Sequence, residues 1–323
     1  MNTLLITGSA GFIGSNFLRL TLRERDYKII SLDKLTYAGN LNSISDLLDH
    51  PNHEFIQGDI ADHDLVEEIM QKGVDRIINF AAESHVDRSI EDPDVFIRSN
   101  INGVHNLLEA ARRHQIKKFL QISTDEVYGE LGETGFFTED TPIEPSSPYS
   151  SSKAAADLLV QAWHRTFGLN TNITRCSNNY GPYQFPEKLI PVLISKALAD
   201  QPIPIYGDGS NVRDWIHVED HNWAVLDVLE KGASGRVYNI GSNNEQSNLN
   251  LAKKLLDVLG KPHSLLTFVK DRPGHDWRYA IDSSRLQNEL GWKPRYPLEK
   301  GLQQTIQWYQ DNEAWWKDIL ERE

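Results

Sequence analysis

Short apolar runs alternate with helical patterns through the first half of the chain. Leu4-Leu5-Ile6, Lys28-Ile29-Ile30-Ser31-Leu32, Glu54-Phe55-Ile56, Arg76-Ile77-Ile78-Asn79-Phe80, Phe119-Leu120-Gln121-Ile122 and Asn172-Ile173-Thr174 read as strands. Helical patterns lie between them, including Gly14 to Glu24, Val95 to His114 and Ser150 to Phe167. This alternation predicts an α/β fold, a Rossmann-like doubly wound parallel sheet. The second half is less regular. Pro182, Pro186, Pro191, Pro202 and Pro204 punctuate it, as do Gly207-Asp208-Gly209 and Gly241-Ser242-Asn243-Asn244. A smaller, mixed α/β, substrate-binding lobe is expected on the C-terminal side. The expected division is 1–177 for the first domain and 178–323 for the second. Elements from about 212–240 are expected to return to the first domain, among them Ile216 to Leu229 and Val237 to Ile240. Leu302 to Leu320 is amphipathic and rich in Trp, which points to packing.

Composition narrows the class. The 323 residues suffice for roughly two domains of core. The formal net charge of −13 excludes non-specific nucleic-acid binding, which needs a basic face. An anionic small substrate stays open, because local Arg and Lys can outweigh the global sign. Cys176 is the only cysteine, so neither an intrachain disulfide nor a multi-cysteine metal site is possible, and no metal is expected. No run approaches the roughly 18 apolar residues of a membrane span. The first strand begins within three residues of Met1, without a signal-peptide layout. A cytoplasmic protein without membrane contact is the expectation.

Thr7-Gly8-Ser9-Ala10-Gly11-Phe12-Ile13-Gly14 follows the first strand and opens a helix, with the spacing G-x-x-G-x-x-G. Glycine lets the backbone turn tightly and approach a pyrophosphate, which rests on the helix N-terminus. Asp33 ends the second strand, 19 residues after Gly14. A carboxylate there can bind both ribose hydroxyls and repels a 2′-phosphate, favouring NAD over NADP. The alternative is a tight turn beside a solvated Asp. Gly58-Asp59-Ile60 ends the third strand, where Asp59 and Ile60 could touch the adenine edge. Phe80-Ala81-Ala82-Glu83-Ser84 ends the fourth, and its small alanines would let a dinucleotide lie close to the backbone.

Tyr149 and Lys153 are four apart in a helical pattern that Pro148 helps to start, so they share one face. The ammonium would lower the phenol pKa from about 10, and Tyr149 could then act as base on a hydroxyl while hydride leaves the carbon. Thr124, Asp125 and Glu126 follow the fifth strand, where ligands bind in open α/β sheets. Two adjacent acids raise one another's pKa, so one can stay a donor while the other is a base. The alternative is a helix N-cap with an acidic first turn.

Together these motifs resemble the extended short-chain dehydrogenase/reductase family and, within it, the nucleotide-sugar 4,6-dehydratases. The resemblance spans nearly the whole chain. It includes Asp33 to Asn40, Ala81 to Ser89, Ser123 to Tyr128, Arg175 to Pro182, Pro186 to Pro191, Asn211 to Trp215 and Asp271 to Asp276. The chain departs from the pattern at Ser99, commonly Thr, and at Trp277, often basic.

The resemblance implies tightly bound NAD, regenerated in each turnover. Its contacts would be Gly8, Gly11, Phe12, Ile13, Gly14, Asp33, Lys34, Leu35, Thr36, Asp59, Ile60, Phe80, Ala81, Ala82, Ser84, Ser99, Tyr149, Lys153 and Asn179. Tyr149 would deprotonate the hydroxyl on sugar carbon 4, with Lys153 holding the ribose and Thr124 orienting the hydroxyl. Glu126 would remove the carbon 5 proton, and Asp125 would protonate the hydroxyl leaving carbon 6. Implied substrate contacts are Ser84, Thr124, Asn178, Lys188, Leu189, Arg213, Asn248, Arg272, His275 and Tyr279. A diphosphate needs cations, which Arg213 and Arg272 supply as bidentate donors and Lys188 as a point charge. Arg213 could instead pair with Asp214, and His275 could be a cap. Pro204-Ile205-Tyr206 could flank the base, Tyr206 stacking or packing. Glu187 is expected to pair with a base rather than react.

The expected partner is a nucleotide-diphosphate sugar, dTDP-glucose favoured by resemblance over a uridine nucleotide. A UDP-sugar 4,6-dehydratase, a nucleotide-sugar 4-epimerase and a non-catalytic NAD-sensing protein are the alternatives. A homodimer through the Val95 to His114 and Ser150 to Phe167 helices is also implied, although an apolar helix face could equally be core.

Overall fold

The computed structural model describes residues 2–271 and 276–322. Its strands are β1 (Asn2–Thr7), β2 (Tyr27–Asp33), β3 (His53–Gln57), β4 (Arg76–Asn79), β5 (Lys118–Thr124), β6 (Thr171–Cys176), β7 (Asn178–Tyr180), β8 (Ile203–Tyr206), β9 (Val212–His217), β10 (Val237–Ile240), β11 (Glu245–Ser247) and β12 (Leu266–Val269). Its α-helices are α1 (Phe12–Glu24), α2 (His63–Met70), α3 (Val86–Glu91), α4 (Pro93–Phe96), α5 (Val104–Arg113), α6 (Pro148–Phe167), α7 (Leu189–Leu198), α8 (Val218–Lys231), α9 (Asn248–Leu259), α10 (Ser284–Leu290), α11 (Leu298–Asp311) and α12 (Glu313–Arg322).

Seven strands form one sheet in the order β10-β6-β5-β4-β1-β2-β3, every pair parallel. Helices cover both faces, so the strands are apolar on both sides. Leu4 and Ile6 point to a core shared with α1 and α8, and Leu5 points to the opposite core shared with α2, α5 and α6. The order reverses at β1, whose neighbours are β2 and β4. Such a switch point opens a crevice at the carboxyl ends of the strands.

β7, β9 and β11 form a small sheet, and β8 pairs with β12. Helices α7, α9, α11 and α12 pack around Ile190, Leu193, Trp215, Leu251, Leu302 and Tyr309, with Trp308, Trp315 and Trp316 joining them. Among the described residues no helix is long and apolar enough to cross a membrane.

Two expectations need correction. Of the 212–240 segment, β10 and α8 do join the large sheet's layers, but β9 pairs with β7 and β11 instead. The Val95 to His114 helix is α4 and α5 joined by a π-helix, Ile97–Gly103. Its buried Asn100 bonds both backbone groups of Glu83 and, at 2.8 Å, the Ser152 hydroxyl. The Trp-rich segment forms α11 and α12, and the Asn312 side-chain amide nitrogen between them donates to the Trp308 carbonyl at 2.8 Å.

Candidate active site

A cleft of about 340 Å³ lies at the switch point, within the size range of small-molecule sites. Gly8, Gly11, Phe12, Ile13 and Gly14 line one wall. Gly8 has φ +67°, and a Cβ there would meet the Ala81 nitrogen at 2.5 Å. A Cβ on Gly14 would overlap the Gly8 carbonyl oxygen. At Gly11 a Cβ would meet only that oxygen, at 3.4 Å, so the cleft side of the loop is open. Gly11 caps α1 without any side-chain bond, which leaves first-turn N–H groups for an anion.

Asp33 is buried at the cleft's edge. Its Oδ2 accepts from the Ala10 N–H and its Oδ1 from the Leu35 N–H, both at 2.8 Å. Burial pushes this carboxyl up, while the N–H groups of Leu35, Ala10 and Gly11 act downward. Lys34, Thr36, Asp59, Ile60, Phe80, Ala81, Ala82, Ser84 and Ser99 also line the cleft. Asp59 pairs with Lys34 at 3.0 Å and Arg98 at 3.1 Å. Burial acts upward on Asp59, but the Ala61 N–H and these two cations bring it below the usual range. Leu35 does not line the cleft, because its side chain packs against the α1–α8 core and only its N–H serves Asp33. A bare helix N-terminus above a buried carboxylate fits a dinucleotide without a 2′-phosphate.

The reactive side chains sit at the ends of β5 and α6. Thr124 ends β5 and caps the 3₁₀-helix Asp125–Tyr128, its hydroxyl accepting from the Glu126 N–H at 3.3 Å. The capping reading and the chemical reading therefore hold together. Asp125 is buried; its Oδ1 accepts from Thr124 at 3.3 Å, and its Oδ2 has no hydrogen-bond partner among the described residues. Burial, then the charges of Glu126 and Asp214, push this carboxyl well up. A capping box of Ser147 and Ser150, with Pro148 in the first turn, starts α6 just before Tyr149.

Lys153 is buried one turn on, its Nζ donating to the Ile122 carbonyl at 2.7 Å. Burial lowers Lys153, with Asp157 and Cys176 acting upward. The expectation that Lys153 holds the phenol below its usual value is not met by the protein's own groups. Burial, then the charge of Glu126, push Tyr149 well up, and the Thr124 hydrogen bond acts the other way. Lys153 instead spends its hydrogen bond on a backbone carbonyl.

Of the expected substrate contacts, Ser84, Thr124, Asn178 and Lys188 line the cleft, as does Asn179. Lys188 reaches the Ser84 carbonyl at 3.5 Å and lies 3.8 Å from Glu187. Glu187 also lies 3.7 Å from His85 and 3.8 Å from Arg88. Leu189, Pro204, Ile205, Tyr206, Arg213, Asn248 and Tyr279 do not line it. Leu189 packs on the core of the helical layer. Strand alternation buries Ile205 in that core, so its side chain cannot flank a base, and turns Tyr206 outward with 47% exposure. Arg213 faces backbone, donating to Val212 at 2.8 Å, Trp277 at 3.2 Å and Asp276 at 2.8 Å. Its expected alternative partner, Asp214, accepts instead from Ser242 and Asn244 N–H groups at 3.2 and 2.7 Å.

Arg213 and Tyr279 nevertheless stand beside the acids. The guanidinium lies 4.4 Å from the Tyr279 ring centre and acts downward on Asp125. Burial, then Glu126, push the Tyr279 hydroxyl up, and that hydroxyl bonds Asp276. Asn248 opens α9, its N–H bonded to the Asn211 carbonyl at 3.0 Å. Arg272 and His275 lie outside the described residues.

The sequence reading missed Ser123, Cys176, Ser177, Gln184 and Phe185, which line the cleft. Burial pushes the Cys176 thiol up to about 12, so it is no nucleophile. Also missed was Asp157, paired with Arg175 at 2.9 Å. Its signal was present, since it continues the Tyr149–Lys153 spacing by four more residues.

Known proteins share this architecture. Residues 5–305 match the family described as GDP-mannose 4,6 dehydratase. The dTDP-glucose 4,6-dehydratase of Xanthomonas campestris pv. campestris is 52% identical over 340 residues, covering 99% of this chain and 97% of that protein. The crystal structure of dTDP-glucose 4,6-dehydratase from Bacillus anthracis in complex with NAD is similar, with a TM-score of 0.93 and 49% identity, covering 99% of this chain and 100% of that one. The Streptomyces venezuelae dTDP-glucose 4,6-dehydratase, with NAD and TYD bound, gives a TM-score of 0.95 at 45% identity, covering 98% and 99%.

Proposed function

The chain belongs to the GDP-mannose 4,6 dehydratase family, and from that premise we infer that it is an NAD-dependent hydro-lyase. It converts dTDP-glucose to dTDP-4-keto-6-deoxyglucose and water. The full-length similarity to dTDP-glucose 4,6-dehydratases supports this substrate within the family. The observation that carries the chemistry is the buried Asp125 beside Glu126, one carboxyl held as a donor next to another.

The roles follow from the groups present. Gly8, Gly11 and Gly14, with the α1 N-terminus, bind the pyrophosphate, and Asp33 binds the ribose hydroxyls. NAD, when bound, supplies the hydride acceptor at sugar carbon 4, the hydride returned at carbon 6 and, oxidised, positive charge near Tyr149. Tyr149 takes the proton of the carbon 4 hydroxyl, with Thr124 acting toward its phenolate against burial. The 4-keto group acidifies the carbon 5 proton, which Glu126 removes. Asp125, kept protonated by burial and by Glu126 and Asp214, donates to the hydroxyl leaving carbon 6. Lys188, Arg213 and Tyr279 serve the nucleotide-sugar side.

Residues 1–177, with α8 and β10, form the NAD-binding part in this reading, and 178–323 the nucleotide-sugar part. Exposed Ile90, Ile97 and Leu158, on neighbouring helices, support a homodimer through that face. Light scattering tests the mass. Incubation with dTDP-glucose and no added NAD is expected to give the 4-keto-6-deoxy product. Recovery of an epimerised sugar instead would refute the dehydratase reading.

A further inference from the structure

Asp157 continues the stripe that Tyr149 and Lys153 begin on α6. It stands four residues beyond Lys153, where helix neighbours have Cβ atoms about 5–6 Å apart. Asp157 is 0% exposed and Lys153 5%. Arg175 of β6 donates its Nε to Asp157 Oδ2 at 2.9 Å, while Asp157 Oδ1 has no hydrogen-bond partner among the described residues. The Arg175 guanidinium lies 4.8 Å from the ring centre of Tyr128, in the 3₁₀-helix that carries Asp125 and Glu126.

Lys153 bonds a neutral carbonyl, which does not offset the loss of water around an ammonium. The titratable groups around the two side chains are Tyr149, Arg175, Cys176 and Tyr128. Burial pushes Cys176 and Tyr128 each up to about 12, so both are neutral near pH 7. Among these neighbours Asp157 is the one carboxyl: burial pushes it up, and the paired Arg175 guanidinium, followed by Lys153, acts the other way to favour its ionised form.

We propose that Asp157 is a positioning residue of the Tyr149–Lys153 site, supplying the negative charge that keeps the buried Lys153 ammonium ionised. The role of Lys153 in turnover rests on the dehydratase reading above. The competing account is that Asp157 only neutralises Arg175, since an unpaired buried guanidinium is costly.

The test compares wild type, Asp157→Asn, Asp157→Glu and the double variant Asp157→Asn/Arg175→Gln, which leaves no unpaired guanidinium. Two quantities are followed against pH: kcat/KM for dTDP-glucose, and NAD retained through gel filtration. An opposite charge this near is worth about one pKa unit or more. Asp157→Asn should therefore move the alkaline limb of both profiles down by about one pH unit. The double variant should keep that shift, and Asp157→Glu should restore the limb. A double variant that titrates like wild type overturns the proposal, as does a uniform loss of activity with no movement of the limb. If Asp157→Asn does not fold, the double variant decides. Failure of the dehydratase reading shows separately, as no turnover of dTDP-glucose by wild type at any pH, and NAD retention still decides on Asp157.

Discussion

Replacing Asp33 with alanine separates two roles that a loss of activity would merge. The carboxylate accepts from the Ala10 and Leu35 N–H groups at 2.8 Å each, so it ties the glycine loop to the end of β2. Leu35 is held at φ +56°, a conformation that a leucine adopts at some cost. One buried and one part-buried donor lose their acceptor in Asp33→Ala, and each costs up to about 1–3 kcal/mol. Water entering from the adjoining cleft satisfies part of that need, which puts the expected loss at about 2–4 kcal/mol. For a chain this long that is on the order of 5–10 °C in Tm. Asp33→Asn keeps one acceptor oxygen and should lose about half as much. Thermal unfolding at graded NAD concentrations is the assay. Without NAD, the drop reads the loop-holding role. The rise in Tm with NAD follows the ratio of ligand to Kd, so its loss reads the ribose role. An NAD-free Asp33→Ala protein that melts at the wild-type midpoint refutes the first role, and an unchanged rise refutes the second.

Other perturbations address the rest of the site. Gly14→Ala puts a methyl group into the Gly8 carbonyl and 2.9 Å from the Gly8 carbonyl carbon, so the loop must shift. NAD co-purifying with the variant, read from its ultraviolet spectrum, should fall at least tenfold. Glu126→Gln should oxidise the sugar yet stop elimination. Solvent-deuterium incorporation at carbon 5 measures this, and an unchanged rate would remove Glu126 as the base. Asp125→Asn tests the raised carboxyl through stability. A carboxyl raised in the folded state contributes stability that is fully present below its unfolded value of about 3.9 and lost as pH rises through the folded value. Wild type should therefore lose more stability than Asp125→Asn between about pH 4 and neutrality. Parallel denaturation curves across that range would contradict it.

Much of the site was legible because local rules write it into adjacent residues. The turn from β1 into α1 needs glycines at fixed offsets, and the position of Asp33 follows from the end of β2. Thr124, Asp125 and Glu126 follow β5 directly, so naming the strand placed them at the sheet's carboxyl edge. Arg213, Tyr206 and Ile205 were harder. Their identity suited a diphosphate and a base, but strand alternation decides which way each side chain turns. Register buried Ile205, exposed Tyr206 and set Arg213 against the carbonyls of Val212, Asp276 and Trp277.

The sequence by itself determined the parallel sheet, the glycine loop and the shared helix face of Tyr149 and Lys153, because each rests on periodicity or on neighbours a few residues apart. Only the tertiary structure decided the charge environment. Burial and the charge of Glu126, followed by that of Asp214 from a different strand, push the Asp125 carboxyl up. Lys153 rests on Ile122 with Asp157 one turn away, and Asp157 in turn is held by Arg175 from β6. Electrostatic interaction depends on distance and desolvation in three dimensions, and no spacing along the chain encodes either between residues brought together from separate strands.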